Sequence, residues 1–515
     1  MTPPSPEKLN EMIPHARLLR EHYLADPHRP GYHFLVPEGC HGPVDPNATV
    51  FWNGRYHFCY IYQHEGAHYW GHASSLDLLH WRHHAPALAP GEGDEGIFSG
   101  GVFVDGDKVV VSYWRLGKPD GIAIATSSDP NLDHWTRHPS SPVIVSEGGF
   151  GWTRRPAPDG AGMVPVGSAA PSAIWRKDGR YYMLTGNLPV LQEFGRQQNL
   201  PEHQGDTLYL FVSDDLATWT YLHKFYESRR EWTRETEDDM CPDFFPLPSS
   251  PDGGPDSGKH MILFISHNMG CQYYIGEYAN DRFAPESHGR MTWVDNEFFA
   301  PESVVDPAGR RIMWTWVFDR RSGEERAHAG WSGEMSLPRL LWLGPDNTLR
   351  MRPVPELERL RYNGRTLTGL TVPADGQLAL PIRGDSLELS LELHPGRATQ
   401  CGLKVRQSPD GREETVITYD AAEGALKINT QKSCLNLSYK MIESAPLSLA
   451  PGEPLLLRVF LDKSFVEVFA NDRQAVVRRI YPSLPDSQGL SLFAHGGPAS
   501  VPTLDAWDMM PSNPY

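Results

Sequence analysis

A chain of 515 residues is too long for one ordinary hydrophobic core, and its formal net charge of −17 argues against nucleic acid or an anionic membrane surface as a partner. Gly 47 and Pro 46, with only 22% charged residues and abundant Trp and Tyr, fit a turn-dense all-β chain. A neutral carbohydrate is indifferent to such a field, and no apolar run approaches the ~18 residues that a membrane-crossing helix needs.

Residues 6–25 place Leu9, Met12, Ile13, Ala16, Leu19 and Tyr23 near three- and four-residue spacing. We expect there a helical leader, residues 1–30, packed against the domain that follows. The N-terminus shows no basic start followed by an apolar core, so the expectation is a cytoplasmic enzyme with reduced thiols. Six cysteines (Cys40, Cys59, Cys241, Cys271, Cys401, Cys434) are scattered without a C-x-x-C pair, which argues against a structural zinc site.

Asp45-Pro46-Asn47 sits in a Gly/Pro-rich turn before two aromatic strands joined by Asn53-Gly54, a strong hairpin dipeptide. Asp45 would thus be held on a stiff turn at the mouth of a sheet. The theme then repeats to about residue 349. Hairpins span 102–113, turning at Asp105-Gly106-Asp107, and 174–184, turning at Asp178-Gly179; strands follow at 208–212, 261–265 and 311–317. Regular four-stranded units read as a β-propeller, although a sandwich suits the pattern equally. Beyond residues 353–361, the segments 387–393 and 455–461 alternate in period two, as half-buried antiparallel strands do.

Several runs resemble glycoside hydrolase family 32, the β-fructosidases. Asp45-Pro46-Asn47 is similar to the core of its N-terminal motif. Tyr56-His57-Phe58 with Tyr60 and Tyr62-Gln63 is similar to the strand after it, and residues 70–81 (Trp70-Gly71-His72-Ala73-Ser74 onward) to the next signature. Phe98-Ser99-Gly100, Phe299-Ala300-Pro301, Leu337-Pro338-Arg339 and residues 461–469 follow in family order. The resemblance implies an N-terminal five-bladed β-propeller carrying the site (residues 31–355) and a C-terminal β-sandwich (356–515). It implies a carbohydrate substrate, no cofactor and no metal.

By that resemblance Asp45 is the nucleophile, and Asn47, Gln63, Trp70, Phe98 and Ser99 line the innermost sugar site, with Ala170 and Met240 also facing it. Retaining hydrolysis needs a second carboxyl about 5–5.5 Å from the first. The family pattern expects a Glu before Cys241-Pro242-Asp243, where this chain has Met240, and an Arg-Asp pair where it has Ala169-Ala170. A thioether neither donates nor accepts a catalytic proton. Asp239 and Glu302 are the candidate replacement acids; Asp238, Glu92, Asp94 and Glu95 read more readily as solvated turn acids.

Three functions follow: a fructoside-like or other furanoside hydrolase or transferase with a non-standard acid/base, a catalytically inactive carbohydrate-binding propeller, or an inverting hydrolase in which Asp45 activates water. Trp52, Trp70, Trp81, Trp314 and Trp316 could stack on sugar or fill core. His68/His72 and His80/His83/His84 have four-residue spacings that suit a metal on a helix, whereas on strands they are expected to face apart.

Overall fold

A computed structural model describes residues 5–39, 42–147, 151–191, 205–436 and 439–513; Cys40 lies outside them. The other five cysteines are free thiols. Helix α1 (Pro6–Ala25) opens the chain, capped by the Ser5 hydroxyl accepting from Lys8 N. The helix forms where its periodicity predicts, yet it does not pack as expected. None of its residues is buried, and Leu9, Met12, Ile13, Leu18, Leu19 and Leu24 are exposed. Its last turn is tied down by bonds from His22 and Tyr23 to the carbonyls of Ala329 and Gly330. Periodicity shows that a helix has an apolar face, not that something covers it.

Antiparallel meanders then follow in chain order. The first is β1 (Pro46–Trp52), β2 (Arg55–His64), β3 (Ala67–Ser75) and β4 (Trp81–His83). Asn53 and Gly54 both take positive φ (46° and 80°) between paired Trp52 and Arg55, the type I′ geometry that matches strand twist. The second comprises β5 (Asp94–Asp105), β6 (Lys108–Gly117), β7 (Gly121–Ser127) and β8 (Thr136–Arg137), with β9 (Ile144–Val145) on β7. A two-stranded ribbon, β10 (Trp152–Pro156) and β11 (Met163–Gly167), leads to β12 (Trp175–Lys177), β13 (Arg180–Thr185), β14 (Tyr209–Ser213) and β15 (Thr220–Lys224). The next meander is β16 (Met240–Pro248), β17 (Asp256–Ser266), β18 (Gly270–Ala279) and β19 (Arg282–Arg290). The last is β20 (Phe298–Val305), β21 (Arg311–Val317), β22 (Glu334–Met335), β23 (Arg339–Leu343) and β24 (Leu349–Pro353). These are the sheets of a β-propeller.

The leading strands β1, β5, β16 and β20 converge: β1 packs against β5 and β20, and β16 against β20 and β5. β1, β5, β16 and β20 each slip register near their start, between Asn47/Val50, Ile97/Gly100, Met240/Asp243 and Phe299/Glu302. Three of these bulges hold a non-glycine residue in the left-handed region: Ala48 (φ 45°), Cys241 (51°) and Ala300 (48°). Each such residue costs roughly 1–3 kcal/mol, and bulges re-aim the side chains beside them. Three of the four bulges where these strands meet thus carry strained backbone. Gly100 lets β5 press close on β6, since a Cβ there would stand 1.9 Å from Ser112 O.

After a 3₁₀ turn (Pro355–Leu360), two six-stranded sheets form the β-sandwich. The period-two segments are the paired strands Ser386–His394 and Leu455–Asp462, with Leu389 opposite Val459. Leu387, Leu389, Leu391 and Leu393 are all buried between the sheets, each stabilising by about 1.5–3 kcal/mol. The domains are joined through buried charge. Asp462 of the sandwich accepts from the backbone N–H of Gly31, Tyr32 and His33 (2.7–2.8 Å), and Glu467 pairs with Arg339 and Arg479 with Glu334.

Candidate active site

Where the leading strands converge, a cavity of about 540 Å³ opens. Asp45 stands on its wall just ahead of β1. Its backbone carbonyl accepts from Ile61 N (3.0 Å) and Asn47 Nδ2 (2.7 Å), which fixes the turn. Ser99 Oγ donates to Asp45 Oδ2 at 2.8 Å, and Cys241 Sγ lies 4.0 Å from the same oxygen. Oδ1 is buried without a hydrogen-bond partner. Burial pushes the Asp45 carboxyl above the usual range, while the Ser99 bond and the charge of His267 pull it back.

Phe98, Ser99, Ala170 and Met240 share this wall with Asp45. Met240 fits because Gly186 passes beneath it; a Cβ on Gly186 would sit 2.6 Å from the Met240 sulfur. The remaining lining is strongly apolar: Pro43, Trp114, Leu116, Leu188, Ile265, Phe299, Trp316 and Phe318, with Asp120, Cys241, His267 and Asn296. Among the described residues the carboxyl groups of the wall are those of Asp45 and Asp120, and Asp120 Oδ1 is tied to Gly117 N at 2.8 Å.

Asp239 does not line the cavity. Strand alternation sends it to the side opposite Met240, where its Oδ2 lies 2.7 Å from Tyr226 OH. That hydroxyl is also 2.8 Å from Asp206 Oδ2, so one phenolic proton faces two carboxyl groups. Burial, and then the charges of Asp206 and Asp238, raises the Asp239 carboxyl well above its usual range, against the lowering effect of the Tyr226 bond. Glu302 also lies off the wall. It is buried, accepts from Thr49 N at 3.4 Å, and is raised well above the usual range by burial and then by Asp243.

Asp238 is not a solvated turn acid. It is fully buried and accepts from His267 twice, from Nδ1 at 2.5 Å and from the backbone N at 2.8 Å. Asp94 is likewise buried, pairing with Arg115 (2.9 Å) and Arg137 (2.8 Å), whereas Glu92 and Glu95 are exposed.

Three of the sugar-site residues brace the site from behind. Asn47 Oδ1 accepts from Gly100 N (2.9 Å), Trp70 is core and donates to Phe98 O (3.1 Å), and Gln63 bonds His68 (3.0 Å). Of the five tryptophans singled out, Trp316 reaches the cavity, while Trp314 and Trp70 are 1% exposed.

The histidines do not all face apart. His72 on β3 stacks on His84, ring centroids 4.3 Å apart, and His57 Nδ1 lies 3.0 Å from His72 Nε2. Adjacency across strands brings them together, not the four-residue spacing. His72, His84 and Asp133 place possible ligand atoms within 4.8 Å of one another, but both His84 nitrogens are engaged, by Asp133 (2.7 Å) and Ser74 (2.8 Å). None of the three lines the cavity, and the group reads as a hydrogen-bonded stack.

Sequence reasoning missed Trp114, Asp120, His267, Asn296 and Phe318, and took Phe299 only as a motif residue. They come from strand ends and loops far apart in the chain, with no local motif to announce them.

Residues 33–353 match the family model "Glycosyl hydrolases family 32 N-terminal domain", and residues 356–508 match "Glycosyl hydrolases family 32 C terminal". The chain is 29% identical to a levanase of Bacillus subtilis, covering 94% of this chain and 70% of that protein. It is 28% identical to a sucrose-6-phosphate hydrolase of Escherichia coli, covering 93% and 94%. The crystal structure of fructan 1-exohydrolase IIa from Cichorium intybus superposes with a TM-score of 0.78 at 23% identity, over 94% of this chain and 98% of that one. Both domain matches, in order and spanning nearly the whole chain, make this protein a member of glycosyl hydrolase family 32.

Proposed function

We propose that this glycoside hydrolase cleaves a fructoside-like or other furanoside linkage with Asp45 as nucleophile, and that its preferred leaving group is apolar. The carrying observation is the Asp45 carboxylate, held by Ser99 on the wall of a cavity with one oxygen unpartnered. Asp45 attacks the anomeric carbon, the bond to the leaving oxygen breaks, and water later releases the sugar from the ester. Relatives are named levanase, β-fructofuranosidase and sucrose-6-phosphate hydrolase. Among the described residues the lining has no Lys or Arg, which speaks against a phosphorylated sugar. Trp114, Trp316, Phe98, Phe299 and Phe318 offer aromatic faces suited to an aryl or alkyl group.

Met240 and Ala170 favour a second reading, a propeller that binds carbohydrate without cleaving it. Sucrose, inulin, levan and p-nitrophenyl furanosides, offered to wild type and Asp45→Asn, separate the two. Turnover abolished by the substitution supports hydrolysis; saturable binding without turnover supports the binder.

A further inference from the structure

We propose that His267, oriented by Asp238, is the proton donor and acceptor of this site; the inference rests on the reading of Asp45 as nucleophile. His267 follows directly on β17, two residues past Ile265, which pairs across strands with Met240. A proton-carrying side chain thus stands beside the position where the family pattern expects its acid and this chain has a thioether. His267 and Asp45 share one cavity wall, and the charge of His267 acts on Asp45.

His267 is held as a catalytic imidazole must be. Nδ1 donates to Asp238 Oδ2 (2.5 Å), and the backbone N donates to Asp238 Oδ1 (2.8 Å). Asn296 Nδ2 donates to the His267 carbonyl (2.6 Å), and Ser266 Oγ to the Asp238 carbonyl (2.6 Å). Phe299 meets the ring edge-on at 5.6 Å. The His267 side chain is 35% exposed and that of Asp238 is 0% exposed, so the carboxylate is dedicated to the imidazole. With Nδ1 committed to Asp238, Nε2 is the nitrogen that exchanges a proton with a bound ligand. A buried carboxylate that fixes tautomer and orientation is a recurrent way of making histidine a general acid/base. Asp120, the other wall carboxyl among the described residues, is instead engaged by the backbone N of Gly117.

The proton balance closes. As Asp45 attacks the anomeric carbon, the leaving oxygen takes a proton from Nε2 of imidazolium His267, leaving a glycosyl ester on Asp45 and a neutral imidazole. Nε2 then takes a proton from water while its oxygen attacks the same carbon. The ester bond breaks, and carboxylate and imidazolium are restored.

The test measures kcat/KM for the p-nitrophenyl furanoside that the wild type cleaves and for its alkyl counterpart. Nitrophenolate departs without a proton; an alkoxide does not. His267→Gln and His267→Ala are expected to lose ~10²–10⁴-fold on the alkyl substrate and under about tenfold on the nitrophenyl one. The ratio, taken on one preparation, is independent of the fraction folded. Asp238→Asn shifts the ratio in the same direction by less, and azide accelerates nitrophenyl turnover by His267→Ala with formation of a glycosyl azide. Equal losses on both substrates, undiminished alkyl turnover, or the same split appearing in Asp120→Asn instead overturns the role of His267. A wild type that cleaves no furanoside, or an Asp45→Asn variant at full rate, overturns the nucleophile reading and this proposal with it.

Discussion

Ser99 Oγ donates to Asp45 Oδ2 at 2.8 Å, while Asp45 Oδ1 is buried without a hydrogen-bond partner. One oxygen is steered, and the other has no hydrogen bond to compensate its burial. A hydrogen bond to a charged acceptor is worth about 1.5–3 kcal/mol, so Ser99→Ala is expected to lower kcat/KM roughly 10–100-fold. The pH profile carries the second signature. Asp45 works ionised, and burial already raises its pKa. Removing the bond that lowers it moves the acid limb of kcat/KM to higher pH, measured on any furanoside that the protein cleaves.

Stability should fall in mild acid because of the buried imidazoles. Burial, with His84 nearby, lowers the His57 pKa to about 4, against 6.5 for the free side chain. As pH drops from 6.5 to about 4 the unfolded chain takes up a proton that the folded chain refuses, so the unfolded state gains. The loss from this group is about 3 kcal/mol. Urea midpoints at pH 7 and pH ~4.5 should differ less in His57→Gln than in wild type.

Asp239 gives the opposite slope. The folded state keeps its proton where the unfolded state has lost it, so stability falls as pH rises from the ordinary carboxylate range through the raised value. Asp239→Asn supplies a neutral group of the same shape beside Tyr226. Its urea midpoint at pH ~8 is expected to equal or exceed that of wild type, with the difference shrinking towards pH ~4.

Local signals read well and long-range ones did not. Asn53-Gly54 and Asp178-Gly179 are turns with positive φ at both residues, and the period-two leucines of residues 387–393 became a central sandwich strand. Asp45, Phe98, Ser99, Ala170 and Met240 were found through their motifs and share one cavity. Asn47, placed at the sugar site by resemblance, turned out as a brace whose amide oxygen is taken by Gly100 N on β5, a contact 53 residues away that no local signal announces. His267 was invisible because its partner Asp238 is 29 residues away and the strand carrying it to the cavity has no signature there.

Met240 can be asked directly. The residue is 4% exposed, so a glutamic acid there would be held protonated at higher pH than usual, as a general acid requires. In a His267→Gln background, Met240→Glu is expected to raise kcat/KM on alkyl furanosides by roughly 10-fold or more and to leave nitrophenyl furanosides little changed. An unchanged ratio would mean that the thioether position does not reach the leaving oxygen.

Asp462 gathers the backbone N–H groups of Gly31, Tyr32 and His33. The strand pair carrying Asp462 belongs to the sandwich, yet those three amides belong to the chain just before the propeller's first strand. The propeller thus cannot come apart without unfastening the sandwich, and the two should melt together. Calorimetry is expected to show a single endotherm whose van't Hoff and calorimetric enthalpies agree, and Asp462→Ala should split it in two.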